Sequence, residues 1–159
     1  MTLLFFSFLI AQRLGELVIA RRNTAALMAR GAREVGAGHY PVMVAMHSAW
    51  IAALVVFGWN QPASLPWLAL YAVLQVFRIW ILGTLGARWT TRVIVLDGEA
   101  LVARGPFRYV RHPNYMLVVA EIIVAPMVLG LWWVAVVWTV LNALMLRHRI
   151  AVEDDALRG

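Results

Sequence analysis

The sequence predicts an all-α, polytopic integral membrane protein with five transmembrane helices, and three observations support this prediction. Hydrophobic residues make up 63% of the 159-residue chain and charged residues only 14%, whereas a soluble domain averages roughly half and about a quarter. Apolar stretches long enough to cross a bilayer recur along nearly the whole chain. The basic residues gather between these stretches. We therefore expect one membrane domain, residues 1–159.

The helices are predicted from the length of the apolar stretches, since a span needs roughly 20 residues. Three stretches meet this length: Thr2 to Ile19, Val42 to Trp59 and Pro66 to Leu85. The stretch from Met116 to Leu146 would reach about 46 Å as one helix, which is too long for one span. Pro126 and Gly130 lie near its middle and are natural helix breakers. We therefore predict a C-terminal helical hairpin with two short arms.

The arginines predict the orientation of these five helices. They lie in the first connection, the third connection and the C-terminal tail, while the second connection and the hairpin tip carry no charge. An N-terminus outside and a C-terminus in the cytoplasm places all three basic segments on the cytoplasmic side, as the positive-inside rule requires. The chain then divides into a three-helix part, residues 1–86, and a part with the long loop, the hairpin and the tail, residues 87–159.

Residue types that are missing exclude several functions. The chain has no lysine, which excludes a Walker-type phosphate loop and a Schiff-base enzyme, and no cysteine, which excludes a thiol nucleophile. The histidines lack metal-ligand spacing, so we expect no metal site. A pI near 11 also fits nucleic-acid binding, but arginines beside apolar segments indicate membrane lipids as partners instead of nucleic acid.

The long third connection contains a turn signal. Asp97-Gly98-Glu99 separates two runs rich in β-branched and apolar residues, Thr91 to Leu96 and Ala100 to Val102. Such a pattern predicts a small β-hairpin or an extended flap at the membrane surface.

Charged residues inside apolar helices are expensive and usually face the bundle interior. Arg13 and Glu16 are three residues apart and can pair on one face of helix 1, most simply as a structural ion pair. Arg78, one turn after Gln75, needs a partner, and Glu121 is the obvious candidate. This pair fits structural pairing and membership of a site equally well.

The segment from Gly105 to Tyr115 is the most informative in the chain. Pro113 after His112 fits a helix start. A helix N-terminus flanked by Arg108 and Arg111 suits an anionic group such as a carboxylate, although the residues alone slightly favour a basic cap that contacts lipid phosphates.

The tail continues helix 5 and then becomes acidic. Arg149 and Glu153 are four residues apart, which predicts a surface ion pair. The functional alternative is that Glu153 accepts hydrogen bonds from hydroxyl groups of a ligand.

At these residues the sequence resembles the isoprenylcysteine carboxyl methyltransferase family of membrane enzymes. The motifs that carry the resemblance are Gln75-Val76-Phe77-Arg78, Leu85-Gly86, Gly105-Pro106-Phe107, Arg111-His112-Pro113-Asn114-Tyr115, the hairpin, and Arg149 with Glu153, Asp154 and Leu157. The chain departs from the eukaryotic enzymes, because it has fewer helices and lacks a glycine soon after Tyr115. It looks more like the short bacterial branch, whose members O-methylate alkylpyrones or alkylresorcinols.

The resemblance implies an S-adenosylmethionine-dependent O-methyltransferase in the bacterial inner membrane, with its active site facing the cytoplasm. It implies that the loop, the hairpin and the tail bind the cofactor through Arg108, Arg111, His112, Pro113, Tyr115, Arg149 and Glu153. A lipophilic acceptor, an alkylpyrone or alkylresorcinol, would enter from the bilayer, and we expect Glu121, paired with Arg78, to orient or deprotonate it. The alternatives are carboxyl methylation of a prenylated cysteine, an NADPH-dependent reductase of the steroid reductase type, and a non-enzymatic membrane subunit.

Overall fold

The computed structural model describes the backbone of residues 1–158 and side chains as far as residue 156. The side chain of Leu157, which closes the tail motif, lies outside the described residues. Within them the fold is all-α apart from two short paired strands and three 3-10 turns. The α-helices are α1 (Thr2–Ala29), α2 (Tyr40–Gly58), α3 (Leu65–Leu85), α4 (Pro113–Val128) and α5 (Trp132–Arg158).

Helices α2 and α3 begin and end within two residues of the predicted limits, but α1 is longer than predicted. It continues ten residues past Ile19 to Ala29, because the basic connection is rich in alanine, leucine, methionine and arginine, which favour a helix even in water. It ends where Gly31 adopts a φ of +89°, a conformation that glycine adopts at little cost.

The stretch from Met116 to Leu146 is divided between two helices. The break lies at Gly130, which has a φ of +68°, and the two arms pack against each other. Pro126 is not the break, since α4 continues past it to Val128. The Pro126 carbonyl accepts hydrogen bonds from the N–H groups of Leu129 and Leu131 and so closes the helix end.

Among the described residues, four helices are long and apolar enough to cross a membrane, namely α1, α2, α3 and α5. Helix α4 is apolar but has only 16 residues, which is short for a full span. The five spans and the orientation of the termini therefore stay predictions.

Of the two forms predicted for the segment around Gly98, the β-hairpin is wrong for the described residues, and the extended flap at the membrane surface stays a prediction. Strand β2 (Val93–Val95) pairs in antiparallel fashion with β1 (Arg33–Val35) from the first connection, and Ala100 to Val102 form no strand. An ion pair across this ribbon joins Glu34 to Arg92, and Glu99, just beyond the ribbon, pairs with both Arg30 and Arg88.

The two ends of the bundle differ in character. At one end Gly58 packs against Leu129, and the Ser64 N–H donates to the Val128 carbonyl. At the other, which we call the basic end, the ribbon, the loop before α4 and the last turns of α5 come together, and the arginine-rich connections lie there. The apolar core lies between them and is built around Leu9, Trp50, Leu54, Ile122 and Val134.

Candidate active site at the basic end

A buried network of charges lies inside the bundle, below the basic end. Arg78 on α3 donates to Glu121 on α4 through Nε, 2.8 Å from Oε1, and through Nη2 to the other carboxylate oxygen. Arg78 also lies 3.3 Å from Glu16 on α1. Arg13 completes the network, since it pairs with Glu16 at 3.1 Å and with Glu121 at 2.6 Å. Two arginines and two glutamates from three helices therefore balance their charges.

Glu121 is fully buried and its hydrogen-bonding capacity is filled. Its Oε1 accepts from Arg78 Nε and from Gln75 Nε2, and its Oε2 accepts from Arg78 Nη2 and Arg13 Nη2. A carboxylate offers about four lone-pair sites. All of them are occupied, which favours the orienting role predicted for Glu121 over the role of a base.

The N-terminus of α4 brings together the residues of the Arg-His-Pro motif. Pro113 is buried at the first helical position, as expected for a residue without an N–H to satisfy. The His112 ring stacks on the Tyr115 ring with 5.3 Å between centroids. Arg111 lies 2.9 Å from Asp154 on α5, so the motif and the acidic tail meet. The side chain of Arg108, in the turn that precedes this helix, is exposed.

Arg149 and Glu153 do not form the predicted surface ion pair in the described structure. Arg149 is only 8% exposed, and both residues bind the hydroxyl of Tyr115. That hydroxyl accepts a hydrogen bond from Arg149 Nε at 2.9 Å and donates one to Glu153 Oε2. The prediction failed because α5 turns Arg149 toward α4 and the bundle interior, where a tyrosine separates it from the carboxylate.

Two cavities meet at this point. The outer cleft, of about 580 Å³, lies between the loop before α4, the strand β2 and the tail of α5. The inner cavity, of about 190 Å³, extends into the bundle and has Arg13, Glu16, Arg78, His47 and Asn142 among a mainly apolar lining. Five residues line both cavities: Trp89, Thr90, Asn114, Tyr115 and Arg149.

The predicted site residues thus fall into two groups. Arg108, Arg111, His112, Tyr115, Arg149 and Glu153 line the outer cleft. Pro113 is not among the lining residues and is buried as the first residue of α4. Glu121 and Arg78 lie in the buried network, of which Arg78 reaches the inner cavity. The sequence did not predict that Arg13 binds Glu121, or that Trp89 and Asn114 line both cavities. For Arg13 a signal was present, because an arginine inside an apolar helix is costly and needs a partner.

Comparison with known proteins gives a family and two bacterial relatives. The model of the isoprenylcysteine carboxyl methyltransferase (ICMT) family matches residues 67–159. The chain is 36% identical to YpbQ of Bacillus subtilis (strain 168), over 98% of this chain and 95% of that protein, which is described as uncharacterized. It is 26% identical to an uncharacterized protein of Haemophilus influenzae, over 96% of this chain and 92% of that protein. No solved structure matches the chain.

Proposed function

Because the chain belongs to the isoprenylcysteine carboxyl methyltransferase family of membrane methyltransferases, we propose that it transfers the methyl group of S-adenosylmethionine to an oxygen of a lipid-like acceptor. The observation that carries this proposal is the junction of a charged outer cleft with a mainly apolar inner cavity. A charged, water-soluble methyl donor and an oily acceptor need two such compartments that meet where the methyl group is transferred.

The outer cleft fits S-adenosylmethionine. Its volume of about 580 Å³ lies within the roughly 300–1,000 Å³ usual for ligand pockets. Arg108 and Arg111 can bind the carboxylate of an amino acid group, and Glu153 can accept from ribose hydroxyls. His112 also lines this cleft, and its imidazole ring carries hydrogen-bonding nitrogens.

The inner cavity fits the head group of the acceptor. At about 190 Å³ it is too small for a whole lipid, so the alkyl chain would extend between the helices into the bilayer. We propose a polyketide-derived alkylpyrone or alkylresorcinol as the acceptor. The side facing the cytoplasm would be the basic end, since it holds the arginine-rich connections, and the membrane would be the bacterial inner membrane.

Methyl transfer requires that the acceptor oxygen is aligned with the methyl group, that this oxygen is anionic, and that its proton has a route to water. When bound, the cofactor supplies a methyl group on a sulfonium, so that an O–CH₃ bond forms while the S–CH₃ bond breaks and a neutral thioether leaves. The residues must align the acceptor oxygen with that methyl group. They must also favour an anionic oxygen, and Arg149 at the junction supplies the positive charge. The proton of the acceptor leaves to water through the open outer cleft.

Glu121 and Arg78 belong to the buried charge network and do not line this junction. Three of the four hydrogen bonds that Glu121 accepts come from Arg78 and Arg13, and both arginines line the inner cavity. We therefore assign Glu121 and Arg78 to orienting the acceptor.

The test uses the purified protein, labelled S-adenosylmethionine and a lipid extract of the host, with mass analysis of any lipid that gains a methyl group. Calorimetry then measures the Kd for S-adenosylmethionine in the wild type and in Arg111→Ala and His112→Ala, with Arg22→Ala as a control at an exposed site on α1. Both cleft variants should lose at least tenfold in affinity, as expected for a lost charge-assisted hydrogen bond. Unchanged Kd values in both would refute the cofactor site.

A second candidate reaction is carboxyl methylation of a prenylated cysteine, which the family's description favours. Turnover of S-farnesyl acetylcysteine and of an alkylpyrone under the same conditions separates the two. Calorimetry with NADPH in place of S-adenosylmethionine tests the reductase alternative.

A further inference from the structure

The wall of the inner cavity contains a histidine, His47, to which the chemistry above gives no role. His47 lies on α2 one turn after Met43, and both residues line the cavity. The Met43 sulfur lies 2.8 Å from Arg149 Nη1, so this face of α2 meets the arginine at the junction of the two cavities. A polar ring inside an apolar helix is costly and usually faces the bundle interior.

A hydrogen bond fixes where the neutral His47 ring carries its proton. Nδ1 lies 2.9 Å from the Met43 carbonyl. A carbonyl can only accept, so Nδ1 is the protonated nitrogen and Nε2 keeps a free lone pair. Among the described residues Nε2 has no hydrogen-bond partner, and it is not one of the fully buried polar atoms. The bond to the preceding turn also holds the ring on the side of the basic end.

Glu16 is the other described group of this lining that can take up a proton near neutral pH. Its carboxylate accepts from Gln12 and Arg13 and lies 3.3 Å from Arg78, so its charge is used within the buried network. The remaining titratable groups of the lining are arginines and tyrosines, namely Arg13, Tyr40, Arg78, Tyr115 and Arg149. His47 is therefore the accessible base of the inner cavity.

We propose that His47 is the general base that takes the proton of a phenolic acceptor during methyl transfer. The O–H bond of the acceptor breaks while its O–CH₃ bond forms and the S–CH₃ bond breaks. The proton moves to His47 Nε2 and from there to water through the outer cleft. His47 has this role only if the proposed function holds, and only for acceptors that are neutral near pH 7. A phenol, with a pKa of about 10, needs the base, whereas an alkylpyrone enol is acidic enough to be ionised already.

The first test compares these two acceptors in His47→Gln, which keeps a hydrogen-bonding side chain but cannot take up a proton. The kcat/KM for 5-pentadecylresorcinol should fall about 100-fold or more, within the roughly 10²- to 10⁴-fold range of general base catalysis. The kcat/KM for 4-hydroxy-6-pentadecyl-2-pyrone should stay nearly unchanged, which also shows that the variant folds. An equal loss for both acceptors would show a structural role and overturn the inference.

The wild type supplies a second measurement that needs no variant. With a histidine base, kcat/KM for the resorcinol should level off near neutral pH, where a histidine loses its proton. Without a base it should rise tenfold per pH unit with the fraction of phenolate, up to a pH of about 10. His47→Gln should bring this slope back.

His148→Gln is the matched control, because His148 is an exposed histidine of α5 that lines neither cavity. It should behave as the wild type with both acceptors. The Kd for S-adenosylmethionine, measured by calorimetry, should not change in His47→Gln, since His47 does not line the outer cleft.

Full turnover of the resorcinol by His47→Gln would overturn the inference, and so would a wild-type rate that rises tenfold per pH unit up to about pH 10. If the wild type methylates the pyrone or another lipid but not the resorcinol, the role of His47 fails and the proposed function stands. If no lipid gains a methyl group, the proposed function itself is refuted.

Discussion

The buried carboxylate of Glu121 gives the sharpest prediction for this protein. The substitution Glu121→Gln keeps the shape of the side chain but removes its charge and turns one acceptor into a donor. Arg78 and Arg13 then share only the charge of Glu16 inside the bundle. Breaking a buried ion pair from one side costs about 3–5 kcal/mol, because the remaining charge is left without its partner.

For a chain of this length that loss corresponds to a decrease in Tm on the order of 6–20 °C. A thermal unfolding scan in detergent measures it. Glu16→Gln is the matched control within the network, and it should cost less, since Arg78 and Arg13 keep their bonds to Glu121. Asp155→Asn, at an exposed position of α5, should leave the Tm unchanged.

The same variant separates the two roles considered for Glu121. If Glu121 orients the acceptor through Arg78, turnover of Glu121→Gln falls by a similar factor at every pH. If it were a base, the loss would be confined to the pH range in which the wild type depends on that base. A Glu121→Gln protein with an unchanged Tm and full turnover across pH would refute both the energetic argument and the site assignment.

Three further predictions follow from other parts of the structure. Tyr115→Phe removes the hydroxyl that joins Arg149 to Glu153, so we expect roughly tenfold weaker binding of S-adenosylmethionine by calorimetry; an unchanged Kd would show that this bridge does not shape the cleft. Gly105→Ala should lower stability by about 1–2 kcal/mol, because Gly105 has a φ of +56° and an added Cβ would lie 2.5 Å from Thr84 Oγ1. The control is Gly38→Ala, since a Cβ added at Gly38 meets nothing within 4 Å. Equal Tm values for the two variants would contradict the argument. Hydrogen bonds from Arg88 and Arg30 hold the pKa of Glu99 below its ordinary 4.5. This contact therefore stabilises the fold above pH 4.5 and is lost as the pH falls through the lowered pKa. Hydrogen exchange of residues 96–103 should become faster in that pH range, and Glu99→Gln should show the same increase at neutral pH.

The site was predicted in part because charges in apolar helices need partners. That rule was enough to match Arg78 with Glu121 across 43 residues of sequence. It could not show that Arg13 joins them, because a closer partner for Arg13, Glu16, lies on its own helix. It also could not show that Arg149 and Glu153 meet at Tyr115 instead of pairing directly, since spacing along one helix says nothing about what the neighbouring helix inserts between them.

By itself the sequence determined the membrane character of the chain, the limits of α2 and α3, a helix break in the region of Pro126 and Gly130, and the family. These depend on local properties: the hydropathy and length of a segment, the conformational freedom of a glycine, and motifs a few residues long. Only the tertiary structure decided that β2 pairs with Arg33–Val35 and that Trp89 and Asn114 each line both cavities. Contacts of this kind depend on how helices rotate and pack against each other, and the energy that selects one packing is spread over side chains far apart in the sequence.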